Sequence, residues 1–181
     1  MLANRSLLDK FIGDAVPNPL ARVVCLAGLS AMIDEVGCGS ASHGCEVRQK
    51  TDPGRAYTRH ELAALWGYGG VEAISRGVVT PANDNKIILF VTSKKRPEDT
   101  QYQDRLVGDV LLWEGPNDHF AEDRMLDHAR RGDEIHVFFR DAHRDAFTYL
   151  GPMILYCAQR FDDRPSRFVF QALADGREGR A

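Results

Sequence analysis

Two short clusters, Tyr102-Gln103-Asp104 and Trp113-Glu114, carry the residue types that could hold a heterocyclic base. An aromatic ring offers a stacking surface, and a carboxylate accepts from an exocyclic amine. Lys94, Lys95 and Arg96 stand together at the end of an apolar run, where cations can hold phosphates. Tyr57 and Arg59 add a further ring and cation beside an expected helix start. Read alone, the Lys94–Arg96 run favours a solvated turn before Pro97, as most charge runs do. Trp113 has two readings. Strand alternation puts it on the face of Leu111, in the core, yet its indole N–H wants a polar partner.

A catalytic reading competes. Asp118-His119 with Glu122 could begin a metal-dependent nuclease or hydrolase site, and His128, His136 and His143 follow. Such a site needs ligands and a general base converging on one point. The paired spacing His-Glu-x-x-His is absent from the chain. His136 lies between Ile135 and Val137 and should face the opposite side of its strand. Cys38, His43 and Cys45, with Cys25 upstream, are soft ligands at irregular spacing, without the second short-spaced pair of a zinc site. Small polar loop residues are the favoured reading, and no cofactor is expected. Cys157 reads as a buried small hydrophobe. No glycine-rich loop opens a helix as a phosphate cradle would, since Gly67, Gly69 and Gly70 follow one.

The chain has 181 residues, 44% hydrophobic and 27% charged, with net charge −3. That fits one ordinary globular domain with a small accessory. Early charges at Asp9, Lys10 and Asp14 break any secretory signal, and no apolar run is long enough to span a bilayer. A cytoplasmic protein with reduced cysteines is the expectation. The mild net charge does not exclude nucleic acid, because a local patch steers binding.

The elements that would position these residues form an α+β fold. The sheet is expected to be mostly antiparallel, curved or barrel-like, with flanking helices. Residues 1–37 read as an N-terminal helical segment, with Val23, Val24, Leu26 and Ala27 in its second apolar pattern. Residues 38–56 read as a loop or linker, and Asp52-Pro53-Gly54 marks a turn. Residues 57–173 form the main domain, and 174–181 a disordered tail. A helix should start at Thr58 with a Thr58/Glu61 capping box and stop at Gly67. Strands are expected at 86–93, 106–113, 134–140, 147–150, 153–158 and 167–173, with a helix over 121–131.

Several motifs occur in a fixed order: Tyr57-Thr58-Arg59-x-Glu61-Leu62, Leu89-Phe90-Val91-Thr92, Tyr102-x-Asp104, Leu112-Trp113-Glu114-Gly115 and Tyr149-Leu150-Gly151. This order resembles the C-terminal domain of helicase-nuclease fusions of modification-dependent (type IV) restriction. It is also similar to the N-terminal reader domain of McrA-type HNH endonucleases. The resemblance covers roughly the middle half of the chain, through short motifs. It implies recognition of duplex DNA carrying 5-methyl- or 5-hydroxymethylcytosine, with Tyr57, Arg59, Tyr102, Asp104 and Trp113 near the reading face. Lys94, Lys95 and Glu114 complete the expected DNA-binding set. HNH residues and helicase motifs are missing, so any cleavage would fall to a nuclease partner. The family tends to carry amide-rich residues after the Trp, whereas Glu114-Gly115-Pro116-Asn117 follow here. A protein-interaction module using a sheet edge is the remaining alternative.

Overall fold

The structure is a computed structural model that describes residues 51–97 and 102–173, together with the backbone of Arg22–Cys25. Nine strands form one sheet: β1 (Arg22–Cys25), β2 (Ala56–Tyr57), β3 (Val78–Val79), β4 (Lys86–Lys94), β5 (Arg105–Val107), β6 (Val110–Glu114), β7 (Glu134–Ala142), β8 (Phe147–Arg160) and β9 (Arg167–Ala172). Among the described residues the helices are few and short: α1 (Arg59–Leu65), a 3-10 turn (Val71–Ile74), α2 (Glu122–Leu126) and α3 (His128–Arg131). The α+β expectation holds, and every strand pair is antiparallel except β4 with β7.

The main path runs β3-β4-β7-β8-β9-β6-β5, with β1 and β2 both pairing to β8. Four strand spacings separate β4 from β6, which in a flat sheet would be roughly 19 Å. Yet Phe90 and Thr92 of β4 line one small cavity together with Trp113 and Glu114 of β6. The sheet must therefore curl, bringing its outer strands toward each other around the apolar side chains. The barrel is not completed, because β3 and β5 at the ends of the path do not pair with each other.

The opposite face of β4, β7 and β8 carries Ile88, Phe90, Phe138, Phe147 and Tyr149, and α1 packs there through Leu62, Ala63 and Trp66. Trp66 is thus a core residue. The capping box forms as the sequence specifies: the Glu61 amide donates to Thr58 Oγ1 at 3.1 Å, and the Thr58 amide donates to Glu61 Oε2 at 2.7 Å. Gly67 then leaves the helix at φ +75°, a conformation that an L side chain resists.

Several boundaries differ from the sequence reading. Arg22–Cys25, expected inside a helix, is a strand along Cys157–Arg160. Its apolar run suits either structure, and pairing to β8 decides. The remainder of residues 1–50, including Cys38, His43 and Cys45, lies outside the described residues, as does the tail from 174. Residues 51–56, assigned to the linker, are tied to the sheet: the Gly54 amide donates to the Tyr149 carbonyl at 2.7 Å, and the Tyr149 amide to the Arg55 carbonyl at 2.9 Å. The strand expected over 106–113 is a hairpin turned at Gly108, whose φ is +61°. The two strands expected after Phe147 are one, β8, which passes through Gly151 at φ +93° beside a register shift in its pairing with β7.

Candidate functional site

The curl leaves a half-open cavity of about 180 Å³ between the end of β4, the Ser75–Val78 turn and the start of the loop after β6. That is below the roughly 300–1,000 Å³ of a drug-sized ligand site, so it suits one small planar group. Lys95, Tyr102, Asp104, Trp113 and Glu114, five of the eight nominated residues, all line it. Arg76, Phe90, Thr92 and Phe120 complete the wall.

Asp104 is the polar centre. Its residue is 5% exposed, and the Glu114 amide donates to its Oδ1 at 3.0 Å. The second carboxylate oxygen forms no hydrogen bond among the described residues. Burial pushes the Asp104 carboxyl up to about 7, opposed by the Glu114 amide and the charge of Lys95, and aided by the Glu114 carboxylate. Glu114 itself is committed: it accepts from the Gln103 amide at 3.0 Å and pairs with Arg167 at 3.3 Å. When ionised, Asp104 therefore presents to the cavity one acceptor that protein groups do not saturate, and a ligand N–H would satisfy it.

Trp113 is a core residue that also lines the cavity. It is 5% exposed and lies 5.4 Å from Phe168 and 6.0 Å from Phe170 by ring centroid, yet it forms part of the cavity wall. Tyr102 carries Lys95 Nζ over its ring at 3.6 Å, so the cation is held at the cavity and not swinging in solvent. Burial beside Asp104 raises the Tyr102 phenol, which stays neutral.

Three nominated residues lie elsewhere. Lys94 is exposed at the end of β4 and does not line the cavity. Tyr57 is buried against Phe138, and its hydroxyl accepts from the Asp52 amide at 2.8 Å. Arg59 stacks over Phe90 at 4.1 Å and Phe147 at 5.2 Å. Its guanidinium donates to the Ile74 carbonyl and, at 3.2 Å, to the Arg76 carbonyl. Burial and the nearby Arg140 lower it to about 10, which leaves it charged at neutral pH. Arg59 acts as a brace for the turn that delivers Arg76, with Nη1 engaged by two carbonyls of that turn.

Arg76 and Phe120 are the residues that sequence reasoning missed. Arg76 Cζ sits 4.6 Å from the Phe120 ring centroid, and its Nη2 is paired with Asp118. No periodicity or motif marks either residue; a turn and a loop bring them together.

The rival constellation is partly assembled. His119 Nδ1 lies 3.0 Å from Glu122 Oε1, but Ser166 Oγ donates to the other Glu122 oxygen at 2.9 Å. Asp118 turns away to Arg76. Glu122 is buried and pins the 115–121 loop, in which His119 and Ala121 hold positive φ, so the network sets the cavity wall. No group of three metal-type ligands converges among the described residues. His136 faces away from Ile135 and Val137, as alternation requires. It is fully buried, with Nδ1 2.6 Å from the Tyr149 hydroxyl and Nε2 3.1 Å from Glu134. Among the described residues, no helix is long and apolar enough to cross a membrane.

No protein-family model matches the chain, and no curated protein matches it.

Proposed function

We propose that this chain is a non-catalytic DNA-binding module that reads modified cytosine, 5-methyl- or 5-hydroxymethylcytosine, in a restriction or defence setting. It acts alone or beside a nuclease partner. The observation that carries this reading is the make-up of the cavity lining. A mostly buried carboxyl, aromatic rings and cations line one small space. A nucleotide offers partners for all three, an amine-bearing base for the carboxyl and rings and a phosphate for the cations. A cationic ligand such as a methylammonium would suit the rings and carboxyl but would be repelled by Arg76 and Lys95.

Asp104 accepts from the cytosine N4 amine, while Trp113 and Tyr102 give the base and its 5-substituent an apolar wall. A buried methyl group is worth about 1–3 kcal/mol of selectivity, so most affinity comes from phosphate contacts. The ordered motifs that resemble modification-dependent restriction readers support the same assignment. The test is an electrophoretic shift with matched duplexes. Preference for the modified duplex supports the reading, and equal binding of both, or none, defeats it.

A hydrolase built on Asp118, His119 and Glu122 is the weaker reading, since Glu122 is buried and both its oxygens are engaged by protein groups.

A further inference from the structure

Arg76 was not singled out by any motif, yet it has the geometry of an anion-binding group. It stands at the cavity that holds Asp104 and Trp113. Two contacts hold it without burying it. Its guanidinium lies against the Phe120 face, and its backbone carbonyl is tied by Arg59. The side chain remains 57% exposed. The one carboxylate on it, Asp118, is 55% exposed and comes from the loop after β6. An ion pair this exposed contributes little and is readily exchanged. A phosphate oxygen pair matches the guanidinium fork better, because two parallel charge-assisted hydrogen bonds can form.

We propose that Arg76 is a phosphodiester subsite of the cavity and that the Asp118 carboxylate occupies it as a stand-in anion until a phosphate displaces it. This rests on the DNA-reading assignment above and adds to it a residue, a ligand class and an internal competitor. Lys95, held over Tyr102, is the second cation at the same cavity. Together the two cations would take the phosphates flanking the base whose amine faces Asp104. Because phosphates carry no sequence information, the subsite adds affinity without adding selectivity.

The consequence is a sign that an ordinary structural ion pair would not produce. Removing the Asp118 charge should tighten binding, although it deletes an interaction of the free protein. Asp118→Asn should bind modified and unmodified duplexes about two- to fivefold more tightly, alike for both. Arg76→Gln should weaken both alike and make log K against log salt shallower by about 0.9, one phosphate's worth. In an Arg76→Gln background, Asp118→Asn should have no further effect. Thermal melting of each variant confirms that the fold is kept, and the Asp118→Asn arm stands even if Arg76→Gln melts early. Unchanged or weaker binding by Asp118→Asn overturns the subsite while leaving the reading intact. A wild-type protein that binds no duplex defeats the reading itself.

Discussion

Asp104 and Glu114 lock each other across ten residues of chain: the Glu114 amide donates to Asp104 Oδ1 at 3.0 Å, and the Glu114 carboxylate accepts from Gln103, the residue before Asp104, at 3.0 Å. This reciprocal tie fixes a buried carboxyl in the cavity lining and spends only one of its oxygens. The site has a cost in ionisation, because burial disfavours the charged Asp104 carboxylate and the Glu114 carboxylate adds a smaller push in the same direction.

That cost predicts a pH dependence of stability. The Asp104 carboxyl is raised from 3.8 to about 7 in the folded protein. Between those values the folded state keeps a proton that the unfolded state has released. Stability therefore falls as pH rises through this window and levels off above it, by at most about 4 kcal/mol. Glu61, Asp127 and Asp133 are lowered and act in the opposite sense at lower pH. The difference between wild type and Asp104→Asn isolates the effect. Chemical denaturation from pH 4 to 8 should show the variant gaining on wild type as pH rises; a constant difference would contradict the burial argument.

Lys94 and Lys95 should separate. Only Lys95 is held over Tyr102 at the cavity, whereas Lys94 is exposed beyond it. Lys95→Ala should reduce the salt dependence of DNA binding by about one phosphate, and Lys94→Ala by distinctly less. Equal effects would mean that the pair acts as a diffuse patch.

Trp113 packs against Phe168 and Phe170, so Trp113→Ala should cost about 3–5 kcal/mol of stability. Selectivity is better probed with Trp113→Phe, which keeps an apolar ring. This variant should stay folded at assay temperature and prefer modified DNA less than wild type does. A Trp113→Ala protein with an unchanged melting temperature would remove Trp113 from the core.

Tyr149→Phe serves as a control at a buried residue that does not itself line the cavity. Its hydroxyl is the partner of the fully buried His136 at 2.6 Å. Losing it should cost about 1–3 kcal/mol in denaturation while leaving selectivity unchanged. A selective loss of modified-DNA preference would show that the cluster shared by Tyr149 and Phe90 is coupled to the cavity.

Local rules made part of this molecule legible in its sequence. The Thr58/Glu61 box depends on three adjacent peptide units, and the apolar run of β4 reflects burial on both faces. Gly108 and Gly151 misled for opposite reasons: the first turns a hairpin, and the second bends one continuous strand without ending it. Tyr102, Asp104, Trp113 and Glu114 were legible as short clusters of suitable chemistry. Arg76 and Phe120 were not, since they meet only after the sheet curls and the Glu122 network shapes its loop. The same cause hid the destination of Arg59, whose partners lie 15 and 17 residues away.

The central claim is that the Asp104 cavity discriminates the modification, and one ratio tests it. It is the Kd for an unmodified duplex over that for the matched modified duplex, measured by anisotropy at fixed salt and pH for wild type and Asp104→Ala. The account predicts roughly a 10- to 200-fold ratio for wild type, as expected for one small apolar group in a pocket. In a folded Asp104→Ala protein the base loses the amine anchor that seats it in the cavity, so its 5-substituent is no longer read and the ratio should fall toward about 1 while most non-specific affinity remains. A wild-type ratio near 1, or a preference that survives in Asp104→Ala, would contradict it.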